Sequence, residues 1–396
     1  MKFYIIGLED SPSPVFSKEV LFAIKSHRIF SGGKRHYELV ASLLPADRVW
    51  IDIKVPLQEV FQTYAAYEEI VVFASGDPLF FGFANTIRKY LPGAVLRVYP
   101  CFNSLQVLAH RLILPYQDMY MVSLTGRPWH EFDKALIEGK EKIGVLTDHR
   151  HTPAAIAERM LTYGYDNYRM TVGEKLGNPG ESVRQWKLEE AAIQKFDNPN
   201  CLILERIALR QRFFGIPEET FYLLNGRERM ITKMPVRLLT LSRLDLYQRH
   251  YFWDVGFCTG SVSIEAKLQF PHLHITAFEC REEGRELMEK NSRKFGAPGI
   301  EAVIADFLEV DLSEYECPDA VFLGGYGGQM EAMLRKIIRK MKAGGILVFN
   351  AVSEESLRSF EEIVVGLGLQ IEMRDRVALN EYNPIVVIRA KKIVQI

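Results

Sequence analysis

The 396 residues contain little that would support a disulfide framework, a metal cluster, a membrane span or a polyanion-binding surface. The five cysteines, Cys101, Cys201, Cys258, Cys280 and Cys317, lie far apart with no C-x-x-C pair. That spacing argues against both a disulfide scaffold and a structural zinc site, and implies reduced thiols. The nine histidines show no H-E-x-x-H spacing, no Ser-His-Asp constellation stands out, and no metal is expected. No apolar run reaches the roughly 18 residues that a spanning helix needs. The opening MKFYIIGLEDSPSP meets acidic residues at once, so it reads as a first buried strand and not as a signal peptide; the protein is expected in the cytoplasm, away from membranes. With 49 Lys and Arg against 50 Asp and Glu, the net charge is −1, which leaves no overall excess for following a nucleic-acid backbone. A small-molecule substrate is favoured over RNA or DNA, and a local basic patch stays open.

What is present suits two domains, because a chain of this length exceeds a typical single core. In the first half, FYIIGL (3–8), EEIVVFAS (68–75), AVLRVYP (94–100), DMYMVSL (118–124), EKIGVLTD (141–148) and PNCLILERI (199–207) read as strands, several of them continuous apolar runs. SKEVLFAIKSH, FGFANTIRKYL and TPAAIAERMLTYG read as helices between them, with Ser17 and Thr152-Pro153 as starts and Gly164 as a stop. The pattern lapses into an irregular polar stretch around 205–235, which sets a boundary near Arg210 and domains of 1–210 and 211–396. A helix at 235–244 then leads into a new β-α series: strands at YFWDVG, HITAFE, EAVIAD, DAVFLGG and GILVFNAV, and two more near 370–377 and 384–391. Strands alternating with helices predict an α/β fold in both halves.

The first turn of the second series is Gly256-Phe257-Cys258-Thr259-Gly260. Such a turn brings backbone N–H groups close to a bound nucleoside, hence the glycines. The dinucleotide fingerprint would need glycine at 256, 258 and 261; two of the three are missing. The methyltransferase pattern D-x-G-x-G-x-G finds Asp254, Gly256 and Gly260 in place and departs only at Cys258, and S-adenosylmethionine carries no pyrophosphate. The second strand ends at Glu279, placed to accept hydrogen bonds from ribose hydroxyls. The third ends in Ala305-Asp306-Phe307, suited to an adenine amino group and ring. Either acid alone could equally end a strand or cap a helix; their order after the turn favours the cofactor. Methyl transfer from a sulfonium rests mainly on positioning, so no catalytic side chain is assigned.

Six segments of the first half, SGGKRHYEL (31–39), FASGDPLFFG (73–82), YPCFNSLQVLAHRLILPYQD (99–118), SLTGRP (123–128), VLTDHRHTPAAIAERML (145–161) and GEKLGNPGES (173–182), together resemble the tetrapyrrole methylase family. The resemblance covers roughly residues 1–207 and, within the family, is to the domain that methylates C5 in cobalamin biosynthesis. It implies two α/β subdomains with S-adenosylmethionine between them. It places Ser75, Gly76 and Asp77 in the cofactor turn, Asn103 and Ser104 in the following turn, and Leu124 and Gly173 at later contacts. The loop Gly7-Leu8-Glu9-Asp10 lacks the family's G-x-G-P-G-D form, and Thr125 stands where histidine is common.

The second half carries GIPEETF (215–221), MITKMPVRLLTLSRL (230–244), WDVGFCTGSVSIEA (253–266), FLGGYGGQM (322–330) and KAGGILVFNAV (342–352), and resembles the Rossmann-like class I domain that methylates C15 and decarboxylates the C12 acetate. This resemblance brings Thr232 to the cofactor. The fused order is similar to that of the bifunctional C5,15-methyltransferases (decarboxylating) acting on precorrin-6B or its cobalt form. It implies one S-adenosylmethionine per domain, a corrinoid or precorrin substrate, and a homo-oligomer, dimer or tetramer. A substrate with several carboxylates calls for cations, and Arg35, His36, Arg127, Lys233 and Arg237 lie inside the matched segments; surface solvation or helix capping is an equal reading for any one of them. The loop Gly324-Gly325-Tyr326 is expected to admit a large flat ring, or else is a flexible turn. Two other readings remain: a methyltransferase of RNA or another small metabolite, and an S-adenosylmethionine-binding protein with one active domain or none.

Overall fold

The computed structural model describes residues 1–11, 13–227, 229–379 and 383–393. They divide into two compact units, one of residues 1–127, 141–158 and 168–207, the other of residues 128–140, 159–167 and 208–396.

In the first unit, β1 (Lys2–Leu8) alternates its apolar side chains between two cores: Phe3 and Ile5 pack on one face, and Tyr4, Ile6 and Leu8 on the other. A strand covered on both faces belongs at the centre of a parallel sheet. It lies between β4 (Glu69–Ser75) and β5 (Val95–Tyr99), and β2 (Ile29–Gly32) and β3 (Val49–Asp52) complete the order β3-β2-β4-β1-β5. All four pairings are parallel. The helices α1 (Lys18–Ser26), α2 (Lys34–Val40), α3 (Leu57–Tyr64) and α4 (Phe83–Tyr90) make the crossovers. As the sequence predicts, Ser17 starts α1: its hydroxyl accepts from the Val20 N–H at 3.3 Å.

After α5 (Ser104–Arg111), a second sheet of the same unit contains β6 (Tyr120–Ser123), β7 (Lys142–Leu146), β8 (Tyr168–Glu174), β9 (Ser182–Trp186) and β10 (Asn200–Arg206) in the order β6-β7-β10-β8-β9. Only β6 and β7 pair in parallel. Helices α6 (His130–Glu138), α7 (Pro153–Thr162) and α8 (Leu188–Ala191) fall between these strands in the chain. The six expected strands are all present. The structure adds β2, β3, β8 and β9. Of these, β3 and β9 are edge strands whose residues stay largely solvated, so they carry no apolar run to read.

The second unit has a seven-stranded sheet of β11 (Tyr251–Val255), β12 (His274–Glu279), β13 (Ile300–Ile304), β14 (Ala320–Leu323), β15 (Ile346–Ala351), β16 (Leu369–Val377) and β17 (Ile385–Lys392). Its order is β13-β12-β11-β14-β15-β17-β16, parallel except for β17, which inserts antiparallel between β15 and β16. Helices α9 (Met234–Leu244), α10 (Ser261–Gln269), α11 (Glu283–Phe295), α12 (Met330–Lys340) and α13 (Glu354–Gly366) cover its faces. Trp253 and Val255 point into one core and Phe252 into the other; each such side chain, fully buried, contributes roughly 1.5–3 kcal/mol. The strand order reverses between β11 and β14. In open α/β sheets that crevice, outside the carboxyl ends of the strands, is where ligands bind. The chain thus has a tetrapyrrole methylase fold of two α/β subdomains followed by a Rossmann-like class I methyltransferase fold. Among the described residues, no helix is long and apolar enough to cross a membrane.

Candidate functional site

At the reversal point of the second unit the loop after β11 meets the loop after β14. Gly256 has φ +81°, and a Cβ built there would lie 2.5 Å from the Gly325 nitrogen, so only glycine lets the two loops close on each other. A side chain at Gly324 would likewise strike the Gly256 carbonyl at 2.8 Å. Gly260, at φ +75°, opens α10 under the Met288 sulfur. Cys258 is also left-handed, at φ 53°, which explains why glycine is usual at this position and what a side chain there costs, about 1–2 kcal/mol. Its thiol donates to the Met230 carbonyl at 3.1 Å. Burial first, and then the Glu279 charge, push that thiol up to about 11, so it stays protonated at neutral pH.

Glu279, the last residue of β12, is 4% exposed and works as a clamp. One carboxylate oxygen accepts the Cys258 N–H at 2.9 Å, and the other accepts the N–H groups of Cys280 and Arg281 at 3.0 and 3.1 Å. The second oxygen also takes the Arg281 guanidinium at 3.2 Å and the Cys280 thiol at 3.4 Å, so the capacity that remains for a ribose hydroxyl is on the oxygen that holds the Cys258 N–H. Asp254, wholly buried on β11, accepts from the Ser263 hydroxyl at 2.6 Å, and its second oxygen meets no protein donor. Burial pushes its carboxyl up to about 7. The Thr259 hydroxyl is a further buried polar atom without a partner. Two unpaired polar atoms beside a glycine cradle fit a polar ligand such as S-adenosylmethionine.

These residues line a cavity of about 720 Å³, large enough for a nucleoside cofactor with further room beside it. Of the expected set, Thr232, Lys233, Gly256, Phe257, Cys258, Thr259, Glu279, Asp306, Gly324, Gly325 and Tyr326 all border it, and Gly260 closes the turn behind it. Asp306 is exposed and accepts from the Leu308 N–H at 2.9 Å, while Phe307 beneath it is buried against Phe278. Arg237 is a correction. Instead of facing the substrate, it is wholly buried and its guanidinium is committed to Glu265 and to the carbonyls of Thr232 and Ile216. The sequence reading missed Asn350, which lines the cavity while bonded to Thr240 at 3.0 Å, and the apolar wall of Val377, Leu379 and Ile385.

The first unit gathers its expected residues less completely. Ser75 ends β4, and its hydroxyl lies 2.9 Å from His36 Nε2. The Gly33 N–H donates to His36 Nδ1, so Nε2 carries the proton and donates to Ser75. Burial, then the Arg35 charge, lower the pKa of His36 and keep it neutral. Arg35 pairs with Asp10. With Ser104 and Gly173 these groups line a cavity of about 140 Å³. Gly76 turns beside it at φ +60°, and Asp77 accepts the Leu79 N–H at 2.8 Å. Asn103 is tied up as the N-cap of α5, bonded reciprocally with Gln106, and Leu124 is wholly buried. Arg127 lies in a different cleft, of about 360 Å³, over the Phe81 ring at 5.3 Å. Thr125, in the usual histidine position, donates to the Thr147 carbonyl.

Comparison with known proteins agrees with the two folds. Residues 25–192 match the family of tetrapyrrole (corrin/porphyrin) methylases, and residues 224–389 match a precorrin methyltransferase domain. A precorrin-6Y C(5,15)-methyltransferase (decarboxylating) from Sinorhizobium sp is 31% identical over 355 residues, covering 89% of this chain and 84% of the relative. A cobalt-precorrin-6B C(15)-methyltransferase (decarboxylating) from Salmonella typhi is 34% identical over 181 residues, 43% of this chain and 93% of the relative. A solved structure described as precorrin-6Y C5,15-methyltransferase from Geobacter metallireducens covers 45% of this chain and 97% of its own, at 32% identity and a TM-score of 0.41.

Proposed function

Because the chain belongs to the family of precorrin and cobalt-precorrin C-methyltransferases, we propose that it methylates a precorrin-6B or cobalt-precorrin-6B type intermediate at C5 and at C15 and removes the C12 acetate carboxyl. Residues 1–210 are assigned the C5 methylation, and residues 211–396 the C15 methylation and decarboxylation. Each domain takes one S-adenosylmethionine, and the protein works in the cytoplasm as a homo-oligomer, dimer or tetramer, without nucleic acid or membrane. The observation that carries the reading is the cavity of about 720 Å³, in which the Gly256–Gly260 turn, Glu279 and Asp306 meet the Gly324–Tyr326 loop.

When bound, S-adenosylmethionine supplies an activated methyl group on a sulfonium. What the chain's own residues supply is position and exclusion of water. In the second unit the Gly256–Gly260 backbone holds the cofactor's amino-acid end, Glu279 accepts from the ribose hydroxyls, and Asp306 and Phe307 bracket the adenine. Lys233 supplies positive charge for substrate carboxylates, and Gly324, Gly325 and Tyr326 give the macrocycle a flat approach. In the first unit Ser75, Ser104 and Gly173 line the proposed cofactor cavity, and Gly76, Asp77, Asn103 and Leu124 are assigned to the same cofactor on the family resemblance. Arg35 and His36, beside Ser75, and Arg127, in its separate cleft, are assigned to substrate carboxylates. In the decarboxylation the bond from the acetate methylene to its carboxylate breaks, and the electron pair passes into the conjugated macrocycle, so no further cofactor is required.

The test follows product mass when the full chain is incubated with precorrin-6B, or its cobalt form, and methyl-labelled S-adenosylmethionine. The expected product carries two labelled methyl groups and has lost one carbon dioxide. A product that keeps its C12 carboxyl, or gains a single methyl, contradicts the proposal.

A further inference from the structure

The described residues between Phe213 and Lys233 form no helix or strand beyond a short 3-10 turn at Glu218–Thr220. Three wholly buried polar side chains from three different helices nevertheless grip this segment. Glu265 of α10 accepts the Gly215 and Ile216 N–H groups at 2.7 and 3.1 Å. Arg237 of α9 donates Nε to Glu265 at 3.2 Å, one Nη to the Thr232 carbonyl at 2.8 Å and the other to the Ile216 carbonyl. Its plane lies over the Phe221 ring at 5.2 Å. Asn291 of α11 accepts the Tyr222 N–H at 2.8 Å and donates to the carbonyls of Tyr222 and Thr259 at 3.1 and 3.0 Å.

The partners of these groups form a pattern. The segment is held at one end by Gly215 and Ile216, in the middle by Tyr222, and at the other end by Thr232. The holds run to α9, whose Val236 lines the cavity, to α10, which opens at the cofactor turn, and to α11, whose Asn291 bonds the turn itself through Thr259. The segment's last residues, Met230 to Lys233, are a wall of the cavity. None of the three side chains is exposed, so none has a surface with which to meet a ligand. A buried ion pair is weak evidence of added stability, since well-packed apolar residues of similar volume often do as well. The planar guanidinium fork is what lets one side chain fix two carbonyls and a carboxylate at once.

Building on the cofactor reading of this cavity, we propose that Arg237, Glu265 and Asn291 are positioning residues that, by holding Gly215, Ile216, Tyr222 and Thr232, keep residues 229–233 as a preformed wall of the C-terminal cofactor site. Losing them weakens cofactor binding by leaving the wall to be ordered when the ligand arrives.

Hydrogen exchange of the full chain, read peptide by peptide against increasing S-adenosylhomocysteine, tests this without any tetrapyrrole. Asn291→Leu keeps the volume and removes all three bonds; Arg237→Lys keeps the charge and removes the fork. In either variant the amides of 229–233 should exchange at least about tenfold faster without ligand, and the concentration that half-protects 256–260 should rise at least about tenfold, because ordering the wall costs about 1.4 kcal/mol per factor of ten. The amides of β11 and β14 should stay as protected as in the parent protein. Variants with protected β11 and β14 and an unchanged half-protecting concentration overturn the proposal. If Arg237→Lys does not fold, Asn291→Leu decides; if β11 loses protection in both, the residues hold the fold and not the wall, and the proposal fails. Absence of protection at 256–260 in the parent protein would instead remove the cofactor reading, and this inference with it.

Discussion

The two candidate cofactor regions are built on opposite plans. In the class I unit, one strand-turn-helix and the ends of the adjacent strands converge on a cavity of about 720 Å³, and two buried polar atoms there lack protein partners. In the tetrapyrrole methylase unit, the corresponding residues come from several separate loops around about 140 Å³, and most of their polar groups are bonded to one another, Arg35 to Asp10 and His36 to Ser75, with the second Asp10 oxygen left buried without a partner. The first site is ready for a ligand as it stands. The second must trade internal contacts for ligand contacts, so single substitutions should cost more in the class I unit than in its neighbour.

The largest effect is expected at Gly256. Gly256→Val puts a branched side chain where even a Cβ lies 2.5 Å from the Gly325 nitrogen. It should abolish cofactor binding in the second unit, a loss of more than about a thousandfold, and leave C5 methylation intact. Calorimetric titration with S-adenosylhomocysteine, paired with product mass, checks both halves of that statement. Next comes Glu279→Ala, which removes the proposed ribose acceptor and orphans three backbone N–H groups; about a hundredfold weaker cofactor binding is expected, from two charge-assisted bonds of about 1.5 kcal/mol each. In the first unit, His36→Phe breaks the bond to Ser75 but frees that hydroxyl. An increase of no more than about tenfold in the KM for C5 methylation is expected, matching one neutral hydrogen bond. A hundredfold loss there would erase the contrast between the two plans.

The same contrast decides what the sequence could reveal. The Asp254–Gly260 turn, Glu279 and Asp306 were legible because one local geometry demands particular residue types at fixed spacing. The residues of the first unit became legible only as a family resemblance, since no single loop there carries a physical requirement strong enough to read. Strands β1, β4 and β11 were readable from runs buried on both faces, whereas β3 and β9 sit at sheet edges and keep polar side chains. Arg237 was misread for a related reason. A cation inside a segment that carries the family resemblance suggests a substrate carboxylate, and only the fold brings Glu265, 28 residues later, against it. Cys258 was legible as an anomaly but not as a solution; its left-handed backbone and its bond to Met230 arise only in the fold.

Two smaller effects sharpen the account of the class I turn. Asp254 is held at about 7 by burial, above its unfolded value of about 3.9. The folded state therefore binds this proton more tightly, and the stability it contributes is complete below about pH 4 and lost as the pH rises through about 7. A sulfonium cation nearby favours the ionised form, so affinity for S-adenosylmethionine in this unit should rise severalfold between about pH 6 and 8. Asp254→Asn should flatten that dependence in a pH-resolved titration. Smallest is Cys258→Gly: relief of the left-handed backbone and loss of the thiol bond nearly offset one another. Cofactor affinity should then stay within about threefold and thermal stability within about 1 kcal/mol.

The most direct test of two separately built cofactor sites is the binding stoichiometry of S-adenosylhomocysteine on the full chain, measured by equilibrium dialysis beside Gly256→Val. The account predicts two molecules per chain for the parent protein and one for the variant. A single molecule bound by the parent protein, or an unchanged count in the variant, would contradict it.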